Sequence, residues 1–183
     1  MLTSNIVKGK DLMLFTTLDQ YNGGSTLAPT TSGYADSKAY VAIAFATSHT
    51  KSSTLETSEI TSKDHGMYGD NIGTKFTWQI TSENLWTNYV DVVKTAHYAG
   101  NPIFVAWGEA IIQAVDSGTI TTAPEGTSLP IDDANNVWLL DTSKSYEYGK
   151  ALITQLDENA SNGEQATFSI TLTGCGPIQQ VKH

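Results

Sequence analysis

Arginine is absent from this 183-residue sequence, whose positive charge comes from ten lysines set against nineteen acidic residues, for a formal net charge of −9. A grip on a phosphate backbone uses a basic surface on which guanidinium groups are prominent, so composition disfavours conventional nucleic-acid binding. The acidic balance repels DNA and favours solubility. No apolar stretch approaches the ~18 residues that a membrane span requires, and Met1 to Lys10 lack the apolar centre of a signal peptide. The sequence therefore reads as that of a soluble protein with no membrane partner and no cleavable export signal.

Cysteine is nearly absent as well. Cys175 stands alone, which excludes an internal disulfide and reads as a buried, inert thiol. His49, His65, His97 and His183 are scattered, without an H-E-x-x-H pattern or a C-x-x-C pair, so no metal centre is expected. There is no nucleophile elbow, P-loop or dinucleotide fingerprint, hence no expected cofactor and no catalytic residue. Two carboxylate pairs remain. Glu56 and Glu59 are three apart and fall on opposite faces of an extended segment, while Asp132 and Asp133 open a turn sequence, Asp-Asp-Ala-Asn-Asn, without the spacing of a calcium loop.

What is present is alternation. Asp11 to Phe15 reads as a first short strand. Tyr40 to Thr47 is an extended run placing Val41, Ile43 and Phe45 on one face and three alanines on the other. A polar connector, Thr57 to Gly66, then leads through a loop containing Gly69 and Gly73 into Thr74 to Thr81, where Phe76, Trp78 and Ile80 alternate strictly with polar residues. The period then changes: Leu85, Tyr89, Val92, Val93 and Ala96 fall at helical spacing, with Ser82 or Asn84 as N-cap and Gly100-Asn101-Pro102 as the stop. Extended structure resumes at Ile103 to Trp107, reaching toward Ile112 or Val115, and returns in Val137 to Leu140, Tyr148 to Leu156 and Ala166 to Thr173.

Two long connectors, residues 20–38 and 116–136, separate these pieces. The pattern predicts one domain over residues 1–183, mainly β, a sandwich or barrel with one flanking α-helix. Such a sheet has edges that recruit another chain unless they are protected. Trp78, Trp86, Trp107 and Trp138, with eight tyrosines, open a second reading, a carbohydrate- or ligand-binding β-sandwich module. Trp78 shares its face with Phe76 and Ile80, which predicts core packing instead of ligand stacking.

Four stretches in a fixed order carry a resemblance: Ala44-Phe45-Ala46-Thr47-Ser48; Leu55-Glu56-Thr57-Ser58 leading to Ser62-Lys63-Asp64; Phe76-Thr77-Trp78-Gln79-Ile80; and Glu164 to Leu172 running into Gly174-Cys175-Gly176. With the intervening helix, they resemble the tail tube (major tail) proteins of long-tailed bacteriophages, the TP901-1-like group in particular, over about Tyr40 to Gly176. The loop Tyr21 to Lys38 and the connector Asp116 to Asn136 have no counterpart in it. The resemblance implies a β-sandwich-like subunit, related in architecture to the tube proteins of type VI secretion systems, which would be an alternative identity. Six copies would form a ring, and rings would stack into a hollow conduit for the genome in the virion tail. The implied partners are other copies of the chain and tail proteins such as the tape measure and terminator, with DNA passing unbound and no catalytic residue or cofactor. On that reading Glu56, Glu59 and Asp157 are candidates to face the lumen. The glycine-containing loops around Gly23, Gly24 and Gly33, and around Asp64, Gly66, Gly69 and Gly73, are candidates to reach between rings.

Overall fold

The structure is a computed structural model that describes residues 12–17, 28–29, 40–43, 46–60, 69–86, 90–114, 120–121 and 136–183. Through these residues run β1 (Leu12–Thr17), β2 (Tyr40–Ala42), β3 (Ala46–Ile60), β4 (Asp70–Leu85), α1 (Val90–Ala99), β5 (Ile103–Ala114), β6 (Ile120–Thr121), β7 (Asn136–Leu140), β8 (Tyr146–Asn159), β9 (Thr167–Gly174) and β10 (Gln179–Val181). The fold is mainly β with one flanking helix, as the alternation predicts. Every strand pairing is antiparallel, in the order β1-β2-β7-β5-β8-β9-β4-β3; β1 also pairs with β5 and so closes a small barrel at one end. Among the described residues the other end of the order is open, and its last strand is β3.

β5 explains why the run from Ile103 to Ala106 is apolar at every position. Ile103 and Val105 belong to one core cluster, with Leu14, Trp78, Ile80, Ala151, Ile153, Phe168, Ile170 and Leu172, whereas Phe104 and Ala106 belong to a second, with Phe15, Tyr40, Ala110 and Leu140. A strand buried on both faces needs apolar side chains at both parities. β9 has one buried face, so Phe168, Ile170 and Leu172 are covered and the intervening hydroxyl residues are not. Helix α1 lays Val93 and Ala96 onto the first cluster. It ends as its sequence dictates: Gly100 takes φ 64°, its N–H donates to the His97 carbonyl at 3.1 Å, and Asn101 N–H donates to Ala96 at 3.3 Å. This is a Schellman closure, which a residue with a Cβ would strain.

Several local expectations are corrected. The run from Tyr40 does not continue as one strand. β2 stops at Ala42, Tyr40 and Val41 are both buried but in different clusters, and Ile43 N–H bonds to Leu14 O at 3.0 Å; Phe45 lies outside the described residues. The connector from Thr57 is strand as far as Ile60, and Gly73 is not in a loop but inside β4, opposite Thr57. Ser82 and Asn84 do not cap the helix. They are buried in β4, where Ser82 Oγ donates to Asn84 Oδ1 at 2.9 Å, and Leu85 is likewise in the strand. Polar residues at inward-facing positions conceal the last turns of pleat from a hydrophobicity pattern. Cys175 is half-buried, its thiol near Thr173 O at 3.7 Å. β10 is an additional strand that the sequence pattern does not announce.

Candidate assembly surfaces

β3 and β4 pair along their whole described length, from Ala46↔Asn84 to Ile60↔Asp70. β9 pairs β4 only over Gln79 to Leu85. The remainder, Thr54–Ile60 with Asp70–Thr77, therefore projects past the sheet as a two-stranded arm, bordered by no other strand among the described residues. Its chemistry differs from that of a solvated hairpin: Leu55, Ile60, Ile72 and Phe76 are 57%, 41%, 49% and 52% exposed. Cross-strand partners share a face. Leu55 and Phe76 face each other on the side continuous with the barrel core, and Ile60 and Ile72 lie on the opposite side. An extra residue in β4, Thr74, falls between the Glu56↔Lys75 and Thr57↔Gly73 pairs and produces a bulge that re-aims the strand. Gly73 lets Leu55 lie over the backbone, since a Cβ there would be 3.0 Å from Leu55 Cδ1.

The outer face of β3, β4, β9 and β8 is a second surface. The register aligns rows across the strands: Ser48, Glu83, Ser169 and Asp157; then Thr50, Thr81, Thr171 and Gln155; then Ser52, Gln79 and Thr173. Hydroxyls fill most positions. Several are tied back to the sheet, with Thr81 Oγ1 donating to Thr50 O at 3.5 Å, Thr154 Oγ1 to Thr171 O at 3.2 Å and Ser48 Oγ to Glu83 Oε2 at 3.2 Å. Asp157 accepts from Gln155 Nε2 at 2.6 Å.

Of the residues that the sequence reading proposed for a channel wall, Glu56 and Asp157 lie on this outer face and Glu59 on the opposite side of the arm, beside Gly69. Glu56 is 3.9 Å from Lys75, with both side chains more than half exposed, so the pair contributes little. Glu83 is a further acid on the face. Its signal was present as the strict parity Thr77, Gln79, Thr81, Glu83, but it requires the strand to continue past Thr81. Gly23, Gly24, Gly33, Asp64 and Gly66 lie outside the described residues, as do Asp132 and Asp133.

The inward side of β3 carries a contrasting group. His49 packs edge-on against Trp107, with ring centroids 5.8 Å apart, and neither ring nitrogen has a hydrogen-bond partner among the described residues. Burial pushes its pKa down from 6.5 to about 4. Lys51, two residues on, forms an ion pair with Glu147, whose other oxygen accepts from Gln180 of β10 at 2.8 Å. Burial lowers the Lys51 pKa.

The four tryptophans form no platform. Trp78 is 3% exposed, Trp86 carries the Lys94 ammonium 4.1 Å above its ring, Trp107 meets His49, and Trp138 packs on the second cluster. Among the described residues no group of three or more His, Cys, Asp or Glu is placed to hold a metal ion, and no helix is long and apolar enough to cross a membrane.

No family model and no curated protein matches the chain. Solved structures do. The tail of an empty GTA particle, refined helically with C6 symmetry, matches with TM-score 0.58 at 15% identity over 96% of this chain and 99% of that one. A protein of the virion of a native gene transfer agent (GTA) particle gives TM-score 0.60 at 13% identity over 96% and 99%. The SPP1 tail tube gives TM-score 0.53 at 12% identity over 97% of this chain and 80% of that one. The chain shares the fold of these proteins.

Proposed function

We propose that the chain is a structural, non-enzymatic subunit of a phage or prophage tail tube, in which rings of six copies stack into a conduit for genome delivery. One observation carries the reading: a 15-residue edge strand whose outer half, with its β4 partner, holds four large apolar side chains in solvent. An unpaired edge and an apolar arm are liabilities for a lone globule and are resolved by association. Docking one surface on a different surface of an identical neighbour builds rings and stacks. The shared fold with tail components supports this, and the C6 symmetry of the gene transfer agent tail supports six copies per ring. The subunit's place is then the virion tail, and its partners are its own copies and the neighbouring tail components.

Within the tube, the arm, with Gly69 beside its outermost described pair, Ile60↔Asp70, and Gly73 in its strand, reaches the adjacent ring, and the hydroxyl face of β3, β4, β9 and β8 lines the channel. Glu56, Glu83 and Asp157 then place carboxylates at the wall, where within a screening length of ~8 Å they repel passing phosphates. Negative-stain electron microscopy of concentrated protein tests the reading directly. Rings or tubes of sixfold symmetry are expected, and a monomer at every concentration refutes it. In assembled particles, Glu83→Lys with Asp157→Lys should slow DNA passage; unchanged delivery removes the face from the channel.

A further inference from the structure

Trp78 sits where the barrel ends and the arm begins. It is 3% exposed, while Phe76, two residues further along the same face, is 52% exposed. Its indole occupies space that two glycines leave free: a Cβ on Gly174 would collide with the ring, and one on Gly149 would lie 3.2 Å from it. The ring N–H reaches past both and donates to the carbonyl of Gly176 at 3.0 Å. Gly176 adopts φ 107°, a conformation that L side chains rarely adopt, and it lies in the link, residues 175–178, from β9 to β10. That link is fastened onto β8 by Cys175 N–H to Lys150 O at 2.8 Å, by Ile178 packed on the Trp78 cluster, and by β10 pairing with Tyr146 to Tyr148.

We propose that Trp78 is a pin that makes the C-terminal segment, residues 175–181, and the root of the arm one mechanical unit, so that the arm holds its direction only while β10 is docked on β8. Among the described residues the β4 edge beyond Gln79 has no strand on its β9 side to steady it, because β9 leaves at Gly174 and the chain turns to β8. The indole bond to Gly176 bridges that gap. Undocking β10 withdraws the acceptor from the ring and Ile178 from the cluster to which Trp78 belongs, and frees the arm to swing about its root. The proposal rests on the tube reading only for its consequence, control of assembly by the C-terminal segment.

The test uses the soluble subunit. With Cys175→Ser as background, nitroxide labels at Ser58→Cys on the arm and Tyr98→Cys on α1 report the arm's direction by electron-electron resonance, and hydrogen exchange reports β10. Trp78→Phe keeps an aromatic ring and removes the donor. It should broaden the label-to-label distance distribution and raise exchange at Gln179 to Val181 by about fivefold, the size of one neutral hydrogen bond. Deleting residues 179–183 should broaden the same distribution, and combining the two changes should add nothing further. Ile170→Val, in the same core cluster, should leave the arm's distribution unchanged. An unaltered distribution in both the Trp78→Phe and the deletion variants, or fully additive effects, overturns the pin. If Trp78→Phe fails to fold, the deletion alone decides, since Trp78 stays in place there. Electron microscopy of the same variants reads assembly separately, so a broken pin and a failed tube reading give different results.

Discussion

One hairpin passes through two environments. From Gln79 to Leu85, β4 is covered by β9 and its inward side chains are buried; from Asp70 to Thr77 the same strand is bordered, among the described residues, only by β3, and its large side chains are exposed. Phe76 and Trp78 sit on one face two residues apart and differ by about half of a full side chain's exposure. The difference teaches that alternation specifies a face but not what covers it. Within the barrel the face stabilises the subunit, and on the arm it is left for another molecule.

That contrast can be broken at graded strength. Phe168→Ala, in the barrel, should reduce the unfolding free energy of the soluble subunit by about 3–5 kcal/mol in chemical denaturation, through lost burial plus a cavity. Acid should act next. His49 is held neutral by burial down to about pH 4, against 6.5 when exposed. Between those values the unfolded chain binds a proton that the folded chain refuses, so the contribution is intact above pH 6.5, shrinks as pH falls and levels off below 4. The full span corresponds to about 3 kcal/mol, and His49→Leu should remove that part of the slope in pH-dependent denaturation. Leu55→Ser with Phe76→Ser, on the arm, should change subunit stability by no more than about 0.5 kcal/mol, yet raise the concentration required for tube formation about tenfold or more, read by light scattering. Smallest of all, Lys75→Gln should shift stability by less than about 0.5 kcal/mol, because its partner Glu56 is equally solvated.

The legible parts of the fold were those where burial and period agree. Phe168, Ile170 and Leu172 announced β9, Ile103 to Trp107 announced a return to extended structure, and Gly100-Asn101-Pro102 announced the end of the helix. β3 was largely hidden. Its fifteen residues are mostly hydroxyls and charges with both faces exposed past Lys51, so no hydrophobic period marks it. Ser82 and Asn84 masked the end of β4 because they are polar residues on its inward face, joined to one another by a hydrogen bond inside the core. Of the assembly surfaces, the hydroxyl face followed from parity, whereas the arm did not, because its length depends on where β9 stops pairing, a tertiary fact with no local signature.

The extra residue at Thr74 also bears on how such a projection can change length. Because it absorbs a change of side between the barrel and the tip, the segment beyond it is decoupled from the register of the body. Inserting two residues into each strand past that point lengthens the finger by about 7 Å and leaves every side chain on its original side. Adding a single residue to each strand inverts all the sides beyond it. Growth by even steps is thus the route by which this chain could match neighbours at a different spacing without redesigning its interior.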